Sequence, residues 1–464
     1  METLQRTANR GSVSTGAYEV GNSLKFEPDN SEYLKWTDIS TYATSARKKT
    51  FSFSVWFKIS ELGVQRTIWS TAANGYLLLQ ADGELKWQQS YNSSVKVLQT
   101  NRVLRDTSAW YNVIVAVDTT QSTEANRQRI YINGVEETSF STSTYPSQND
   151  EADNVYQSFH SLGAYNASSI FWSGYMCDVA FISDAQITPS NVGEFDSDSG
   201  IWKPKSYSGG SAPSYFLEFK DSSDLGSATG LDADTLNNIT AADQSTDTCT
   251  NNFCTLNPLV NFKYTTNGIT EGGTVFGDNT GGGVGGAFGT MAVTAGKWYW
   301  EVKLNQQSSH YIGVSAVDDG DNVYTSTDPQ EENSTFRFNI NAARREYVNG
   351  GSQTYGSLDE FSDFHSAGDI IGIALNMDDN QISIYGNGTL QSGVANTSLF
   401  DAADKMVVPF HGTINDEAQY NFGGYSVWTP SSAVNDANGY GTFEYSPPSG
   451  YYSLCTKNLA QYGG

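Results

Sequence analysis

The adjacent residues Glu136 and Glu137 are the first candidates for catalysis in this sequence, because paired carboxylates can cleave glycosidic bonds. Retaining cleavage of a glycosidic bond needs two carboxyl groups about 5–5.5 Å apart. An alternating Glu-x-Asp-x-Glu spacing would place carboxylates on one face of a strand, but it does not occur. Glu136 and Glu137 are adjacent and therefore point to opposite faces. We expect a protein that is not an enzyme.

Histidine and cysteine spacings predict neither a metal site nor a nucleophile. The histidines at 160, 310, 365 and 411 lie outside any His-x-x-x-His or cysteine-pair context. Cys249 and Cys254 have no second pair, so we expect all the cysteines to be free thiols. The Asp-Asp-Gly-Asp-Asn loop at 318–322 has oxygen ligands for Ca²⁺, although a solvated turn is favoured. No cofactor is expected, and calcium stays an open alternative.

Aromatic residues near turns and strand ends are the candidates for ligand binding, because a ring face can stack on a sugar. These candidates are Trp36, Trp87, Tyr91, Tyr324, Tyr347 and Tyr355. For each of them, interior packing or incidental exposure is the alternative. Tryptophans inside strand motifs are expected in the core instead. They are Trp56, Trp110, Trp298 and Trp300.

The charge balance argues against two classes of partner. The 464 residues include 26 Lys+Arg and 51 Asp+Glu, which gives a formal charge of −25 at pH 7. This acidity repels nucleic-acid phosphates and anionic membranes, and no basic stripe offsets it. The longest apolar runs are far shorter than the roughly 20 residues that span a bilayer. We therefore expect no nucleic-acid binding and no membrane insertion.

Short strands must position these residues, because period-2 alternation recurs and helical periodicity is nearly absent. Residues 51–59 alternate apolar with mostly polar side chains, which is typical of a half-buried strand. Asn-Gly pairs at 74–75, 133–134, 349–350 and 387–388 suit type I′ hairpin turns. The sequence predicts an all-β fold of two antiparallel β-sandwich (jelly-roll) domains in tandem, with less than about 10% helix.

Composition sets the expected domain boundaries. Residues 1–21 are polar, lack the apolar stretch of a secretory signal, and are expected to form an N-terminal anchoring segment. The first sandwich is expected over residues 22–224. Residues 225–248 are crowded with Gly, Ala, Thr, Asn and Asp and are expected to form a linker. Residues 249–464 are expected to form the second sandwich with a C-terminal extension.

Four motifs in the first half combine aromatic strands with a hairpin turn. They are Phe-Ser-Val-Trp-Phe at 53–57, Trp-Tyr-Asn-Val-Ile-Val-Ala-Val-Asp at 110–118, Ile-Tyr-Ile-Asn-Gly-Val at 130–135 and Tyr-Met-Cys-Asp-Val-Ala-Phe at 175–181. Together they resemble a laminin-G-like, concanavalin A-like jelly roll. Related lectin-like domains sometimes hold calcium at such strand positions. The resemblance therefore implies Asp118 and Asp178 as metal candidates, with structural capping as the favoured alternative.

The second half contains six short motifs, whose order along the chain is informative. They are Gly-Lys-Trp-Tyr-Trp-Glu-Val at 296–302, Tyr-Ile-Gly-Val at 311–314, Gly-Asp-Ile-Ile-Gly-Ile-Ala-Leu at 368–375, Ile-Ser-Ile-Tyr-Gly-Asn-Gly at 382–388, Val-Pro-Phe at 408–410 and Asn-Phe-Gly at 421–423. This order resembles a SPRY domain, another β-sandwich. The resemblance implies recognition by loops on a rigid scaffold and no catalytic residues.

The two domains, together with the segments at 4–12 and 451–459, resemble structural proteins of tailed bacteriophages, especially marine ones. The resemblance implies a virion-surface protein that is synthesised in the host cytoplasm without a signal peptide. A tail fibre or surface appendage would recognise a host-surface glycan or protein. It would bind other virion proteins through the N-terminal segment and form a homotrimer. The main alternative is a capsid decoration or head-fibre protein, and a polysaccharide depolymerase is a distant one.

Overall fold

The computed structural model describes residues 18–72, 74–156, 158–261, 268–277, 284–305, 309–316, 335–349, 352–356, 366–391, 397–398, 406–414 and 416–463. Strands account for 47% and helices for 8%, which confirms the predicted all-β fold with little helix. The chain divides into two compact units, Met1–Asn251 and Asn252–Gly464. Within the described ranges, no helix is long and apolar enough to cross a membrane.

In the residues described, the first unit consists of short strands and the α-helix α1 (Ser45–Lys49). The strands are β1 (Ser23–Phe26), β2 (Tyr33–Trp36), β3 (Thr50–Ile59), β4 (Arg66–Thr71), β5 (Tyr76–Leu79), β6 (Glu84–Tyr91), β7 (Ser94–Val103), β8 (Trp110–Asp118), β9 (Gln128–Ile132), β10 (Val135–Glu136), β11 (Phe140–Ser143), β12 (His160–Leu162), β13 (Gly174–Ser183), β14 (Gly193–Phe195), β15 (Trp202–Pro204), β16 (Pro213–Leu217), β17 (Thr229–Gly230), β18 (Thr235–Asn237) and β19 (Gln244–Ser245). Single 3₁₀ turns are Asp38–Tyr42, Glu124–Asn126, Pro189–Asn191 and Ala241–Asp243.

Two antiparallel sheets form the first sandwich. Among the described residues, the nine-stranded sheet runs β10-β9-β8-β3-β13-β1-β19, and β16 and β17 extend from β13. The eight-stranded sheet runs β11-β7-β6-β5-β4-β12-β2-β18. A separate hairpin is formed by β14 and β15. This pair of packed sheets is the predicted first β-sandwich.

Strand β3 shows why the two sheets pack together. Its alternate residues Phe51, Phe53 and Phe57 are fully buried in the core. Phe53 stacks on Trp69 of the eight-stranded sheet, with ring centroids 5.4 Å apart. Removing apolar surface from water is worth roughly 25 cal/mol per Å², so these rings hold the sheets together. The other face of β3 is also buried, as its Lys58 shows, because later segments of the unit cover it.

Residues 225–248, predicted as a linker, contribute β17, β18 and β19 to the first sandwich. Strand β18 pairs with β2, and β19 pairs with β1. Asp247 forms a 2.8 Å ion pair with Lys58, and each side chain is 1% exposed. The Trp110 indole N–H also donates to Asp247 over 3.1 Å. The polar residues that suggested a linker instead pair with buried groups on the sheet that they cover.

The described part of the second unit also consists of short strands, with the α-helix α2 (Thr456–Tyr462). The strands are β20 (Leu256–Asn261), β21 (Ile269–Thr270), β22 (Val275–Gly277), β23 (Val284–Gly289), β24 (Lys297–Leu304), β25 (Ser309–Ala316), β26 (Thr335–Asn339), β27 (Arg344–Asn349), β28 (Ser352–Tyr355), β29 (Ile370–Asn376), β30 (Gln381–Gly386), β31 (Thr389–Leu390), β32 (Thr397–Ser398), β33 (Val407–Ile414), β34 (Glu417–Asn421), β35 (Val434–Asn435), β36 (Thr442–Phe443) and β37 (Tyr452–Ser453). A 3₁₀ turn spans Glu271–Gly273.

Two further sheets form the second sandwich. Within the part of the chain described, one sheet runs β20-β23-β33-β25-β26-β27-β28. The other runs β21-β22-β34-β24-β29-β30-β31, with β32 beside β30 and β37 beside β24. Trp298 and Trp300 of β24 are fully buried between these sheets. Trp56 and Trp110 of the first unit are at most 9% exposed, so the predicted burial of all four tryptophans is confirmed.

The Asn-Gly pairs show how local sequence sets the hairpins. Both residues have positive φ at 133–134 (48° and 78°) and at 387–388 (47° and 79°), which confirms the predicted turn chemistry. The pair at 74–75 has positive φ at its asparagine alone (59°). The pair at 349–350 lies partly outside the described residues.

Candidate ligand-binding site

The outer face of the eight-stranded sheet presents accessible polar and aromatic side chains in the first unit. Leu77 of β5 and Trp87 of β6 point into the core. Because side chains alternate along a strand, Tyr76, Lys86 and Gln88 point the other way. The register pairs Tyr76 with Gln88 across the two strands. This alternation places one aromatic ring between two polar side chains.

Tyr76 organises the contacts on this face. Its hydroxyl donates to Gln88 Oε1 over 2.6 Å, and Lys86 Nζ lies 5.7 Å from its ring centroid. The Tyr165 ring stands edge to face with it, with centroids 5.7 Å apart at 72°. Burial, followed by the nearby Tyr165, raises the pKa of Tyr76 above its ordinary value, so its hydroxyl stays protonated. Tyr165 is only half-buried, whereas Tyr76 is buried, so Tyr165 is the more accessible of the two tyrosines.

A connection between β12 and β13 holds Tyr165 over the sheet. Ser70 Oγ donates to the Ala164 carbonyl over 2.8 Å and accepts from the Asn166 N–H over 3.0 Å. The backbone N–H of Thr67 donates to the carbonyl of Ile170 over 3.1 Å. Positive φ at Asn166 (52°) and Ile170 (50°) makes the tight bends. The ring of Tyr165 is therefore positioned by backbone anchors on both sides.

Further hydrogen-bonding groups extend the face along β7. Gln99 is paired with Lys86, and its amide donates to Glu84 Oε2 over 2.6 Å. The hydroxyl of Ser141 donates to the same carboxylate oxygen over 3.1 Å. Lys86, Gln88, Gln99 and Glu84 are all partly exposed. We call Tyr76, Lys86, Gln88, Gln99 and Tyr165 the Tyr165 patch. An aromatic surface beside amide and ammonium groups can stack on a sugar ring and bond to its hydroxyls.

The predicted ligand residues of the first unit lie in its interior. Trp36, Trp87 and Tyr91 are fully buried. Trp36 stacks on Tyr215 with centroids 4.2 Å apart, and Trp87 stacks on Trp69 at 5.7 Å. A ring enclosed by protein has no face left for a sugar. These residues serve the core, and the packing alternative applies to them.

The predicted ligand residues of the second unit are placed less directly. Tyr347 lies on β27, partly buried against the core of the second sandwich. Tyr355 lies on β28, and its side chain falls outside the described residues. Tyr324 and the acidic loop at 318–322 also lie outside them.

Asp118, a predicted calcium candidate, works as a turn cap. Its Oδ1 accepts from the Thr120 N–H over 3.0 Å and from the Thr120 hydroxyl over 2.6 Å. Gln121 donates to Oδ2 over 2.6 Å. Burial alone would raise the pKa of Asp118, but these hydrogen bonds hold it below its ordinary value. The carboxylate oxygens are thus directed to local partners.

Asp178, the other calcium candidate, is buried on β13 with φ at +46°. Burial raises the pKa of its carboxyl to about 7, although a hydrogen bond from Tyr18 opposes the shift. Across the described residues, no group of three or more His, Cys, Asp or Glu side chains is arranged to hold a metal ion.

A chain of buried polar groups in the second unit escaped sequence reasoning. His310 Nε2 lies 3.0 Å from Asp416 Oδ2, and His310 Nδ1 lies 3.3 Å from His411 Nε2. His411 Nδ1 is 2.6 Å from the Tyr420 hydroxyl. Burial, and then His310, lowers the pKa of His411 well below its ordinary value. All four side chains are buried, so this series of hydrogen-bonded side chains links strands and presents no nucleophile to solvent.

Sequence reasoning also missed the Tyr165 patch. Tyr76 lies in β5 and Gln88 in β6, and alternation against Leu77 and Trp87 was the available signal for their outward direction. Tyr165 carries no such signal, because it lies in an irregular connection. His310 and His411 are 101 residues apart and meet only through sheet pairing.

Comparison with known protein families agrees with both sandwiches. Residues 28–192 match the concanavalin A-like lectin/glucanases superfamily in its laminin-G form, and residues 297–425 match the SPRY domain. Both domains predicted from the motifs are therefore confirmed. Together they define the class of protein, a β-sandwich protein built from ligand-binding folds. A comparison with curated proteins finds no match.

Several solved structures are similar in fold. The SPRY domain of human HERC1 is 18% identical, with a TM-score of 0.27, over 36% of this chain and 96% of that one. A putative carbohydrate binding protein from Bacteroides ovatus is 14% identical, with a TM-score of 0.27, over 37% of this chain and 45% of that one. Domains LG4-5 of the mouse laminin alpha1 chain are 11% identical, with a TM-score of 0.31, over 88% of this chain and 90% of that one.

Proposed function

We propose that this protein is a non-catalytic recognition protein that binds a host-surface glycan through the Tyr165 patch. The observation that carries the proposal is the edge-to-face pair of Tyr76 and Tyr165 beside Lys86 and Gln88. Sugars present apolar C–H faces and hydroxyl rims, and this arrangement matches both. A protein receptor is the alternative ligand on the host surface.

The carboxylates support binding rather than cleavage. Glu136 Oε1 lies 3.5 Å from Arg129 Nε, while Glu137 Oε2 lies 2.8 Å from Arg102 Nε. Each of these adjacent carboxylates is thus directed to its own arginine, away from a shared substrate position. Retaining or inverting hydrolysis needs the two carboxyl groups to face one bond. A polysaccharide depolymerase is accordingly the least favoured function.

We further propose a place on a virion, as part of a tail fibre or similar surface appendage. The support is the sequence resemblance to tailed-phage structural proteins, together with two tandem binding folds in one chain. Residues 1–21 would attach the chain to other virion proteins. A capsid decoration or head-fibre protein would use the same sandwiches and is the second candidate. Detection of the chain in purified particles, with its position mapped by labelled antibody, distinguishes these locations.

Substitution in the patch tests the glycan-binding proposal. We expect Tyr165→Ala to weaken binding to purified host surface polysaccharide about tenfold, because an aromatic contact is worth roughly 0.5–1.5 kcal/mol. Tyr145→Ala is the matched control, since Tyr145 is also half-buried in the first unit but lies off the patch. Isothermal titration calorimetry gives the affinities, and thermal unfolding checks each fold.

Two outcomes would redirect the proposal. Equal affinity of the Tyr165→Ala variant and the wild type would remove the patch as the glycan site. Binding that survives on cells stripped of polysaccharide would favour a protein receptor. A reducing-sugar assay on the same polysaccharide should show no release, and release would indicate catalytic carboxylates elsewhere in the chain.

A further inference from the structure

We infer that Cys177 and Cys249 form an oxidative modification site, at which a disulfide bond joins β13 to the segment at 244–251. Their Sγ atoms lie 3.6 Å apart, although the residues are 72 positions apart in sequence. A disulfide needs about 2.05 Å, so the sulfurs must approach by only about 1.5 Å. Both residues belong to the first unit, and the inference is independent of the proposed function.

Packing that does not involve sulfur holds the two thiols at this distance. The segment at 244–251 is fixed by pairing of β19 with β1 and by the buried Asp247–Lys58 ion pair. The Thr250 hydroxyl adds a 3.0 Å hydrogen bond to the Val20 carbonyl. A bond between the sulfurs therefore joins elements that already lie in contact.

The oxidant we propose is a low-molecular-weight disulfide. One cysteine thiolate attacks a sulfur of this disulfide, which breaks the small S–S bond and releases one small thiol. The other cysteine then attacks the protein sulfur of the mixed disulfide and releases the second small thiol. Two electrons pass to the oxidant, and the two protons from the protein thiols leave with the two products. Cys249 is 7% exposed and Cys177 is fully buried, so Cys249 meets the oxidant first.

The surroundings make this reaction slow at neutral pH. Burial raises the pKa of Cys177, and it raises that of Cys249 further. The charge of Asp178 adds to both shifts. Because the thiolate is the attacking species, the rate of disulfide formation should rise with pH through the alkaline range. The protein would stay reduced during synthesis and acquire the bond on prolonged exposure to oxidising surroundings.

The test is oxidation of the native full-length protein with oxidised glutathione. Titration of the denatured protein should find four thiols before oxidation and two after it. The intact mass should fall by two hydrogen atoms, and peptide mapping should link Cys177 to Cys249. Retention of four thiols, while the denatured chain is oxidised by the same reagent, would overturn the inference. A link to either remaining cysteine would overturn it too.

Single variants provide the controls. Cys254→Ser and Cys455→Ser should each still lose two thiols, because both residues lie in the second unit. Cys177→Ser and Cys249→Ser should each form no intramolecular bond. If a variant fails to fold, the wild-type peptide map still decides the question.

Thermal unfolding gives a second readout on the wild type. A disulfide between Cys177 and Cys249 closes a loop across 72 sequence positions. This closure should raise the melting temperature of the first unit by about 10 °C relative to the reduced form. A melting temperature that is unchanged or lower in the oxidised form would show that the native geometry does not accommodate the bond.

Discussion

His160 shows how single buried residues make the first sandwich sensitive to pH. Its Nε2 lies 2.7 Å from the Val155 carbonyl, which only a protonated Nε2 satisfies by donating. Its Nδ1 lies 3.2 Å from the Tyr215 hydroxyl, which donates to a neutral imidazole. Burial lowers the pKa of His160 to about 3. The folded state therefore holds the neutral ring where the unfolded chain would take up a proton.

We predict that the advantage of His160 over glutamine shrinks in acid. Because the folded pKa is about 3 and the unfolded value is near 6.5, the unfolded state binds more protons between these limits. The stability contributed by histidine is complete above about pH 6.5 and falls by up to about 1.4 kcal/mol per pH unit below it. The free energy of unfolding of wild type and His160→Gln, measured in urea at pH 7 and pH 5, checks this.

The comparison with the variant isolates one titration among several. Burial also raises the pKa of Glu32 and of Asp178 to about 7, and these carboxyls favour the folded state as pH falls. Their contribution cancels when wild type and variant are compared at each pH. A difference that stays constant between pH 7 and pH 5 would mean that the folded protein protonates His160 readily.

The direction of a side chain decided which aromatic predictions succeeded. Trp87 and Gln88 are neighbours, yet one lies in the core and the other on the Tyr165 patch. Trp298 and Trp300 were placed correctly, because both alternate onto the buried face of their strand. Trp56 lies on the face of β3 opposite the sandwich core, and later segments of the first unit bury it. Trp36 and Tyr91 lie at strand ends, where the sequence leaves the direction open. Tertiary packing buries both.

The hairpin between β9 and β10 is an element in which backbone and packing requirements coincide. Gly134 has φ at +78°, and a Cβ there would meet the Trp202 ring at 2.3 Å. We predict that Gly134→Ala destabilises the first sandwich by about 2–4 kcal/mol, from left-handed strain plus the clash. Urea denaturation followed by tryptophan fluorescence measures the change.

Gly200 supplies the matched control for that hairpin. Its φ is +71°, but a Cβ there would have no neighbour within 4 Å. Gly200→Ala should therefore cost only the backbone strain, about 1–2 kcal/mol. Equal losses at the two glycines would show that the Trp202 ring moves aside without penalty.

Strand existence was predictable, whereas strand order was not. Alternation marks β3 and β13 in the sequence, and the structure pairs them although their ends lie more than 100 residues apart. Pairing depends on the whole set of faces that must be buried, which no local pattern contains. The segment at 225–248 has the composition of a linker for a related reason. Its short strands carry few apolar residues, and partners in the first sandwich give them their structure.

The buried ion pair between Asp247 and Lys58 attaches the segment at 225–248 to the first sandwich, and its contribution to stability can be tested. Asp247→Ala should destabilise the first sandwich by about 3–5 kcal/mol, because Lys58 would keep a buried charge without its carboxylate. Glu218→Gln is the control, since its ion pair with Lys220 is largely solvent-exposed and should matter by less than about 1 kcal/mol. Chemical denaturation of both variants checks the difference. Similar small losses would mean that the segment adds little stability.

At the scale of the whole molecule, the two family matches lie in different units of one chain. Each unit has its own hydrophobic core, so each can present surface groups without help from the other. A single Tyr165 patch is small and partly buried, and we expect each site to bind weakly. Useful affinity for a cell surface would then require several copies of the chain in one assembly.

Assembly is the prediction that separates the two proposed virion roles. We predict a homotrimer by analogy with fibre proteins, which are usually trimers. Three linked copies of a weak site would raise the effective concentration of the second and third contacts. Light scattering of the purified full-length chain should give three times the mass of 50.5 kDa. Binding to immobilised polysaccharide should also dissociate at least about tenfold more slowly than binding to the soluble polymer fragments. A monomer at concentrations well above those in a lysate would favour a singly attached capsid decoration, for which many copies on the particle surface replace the oligomer.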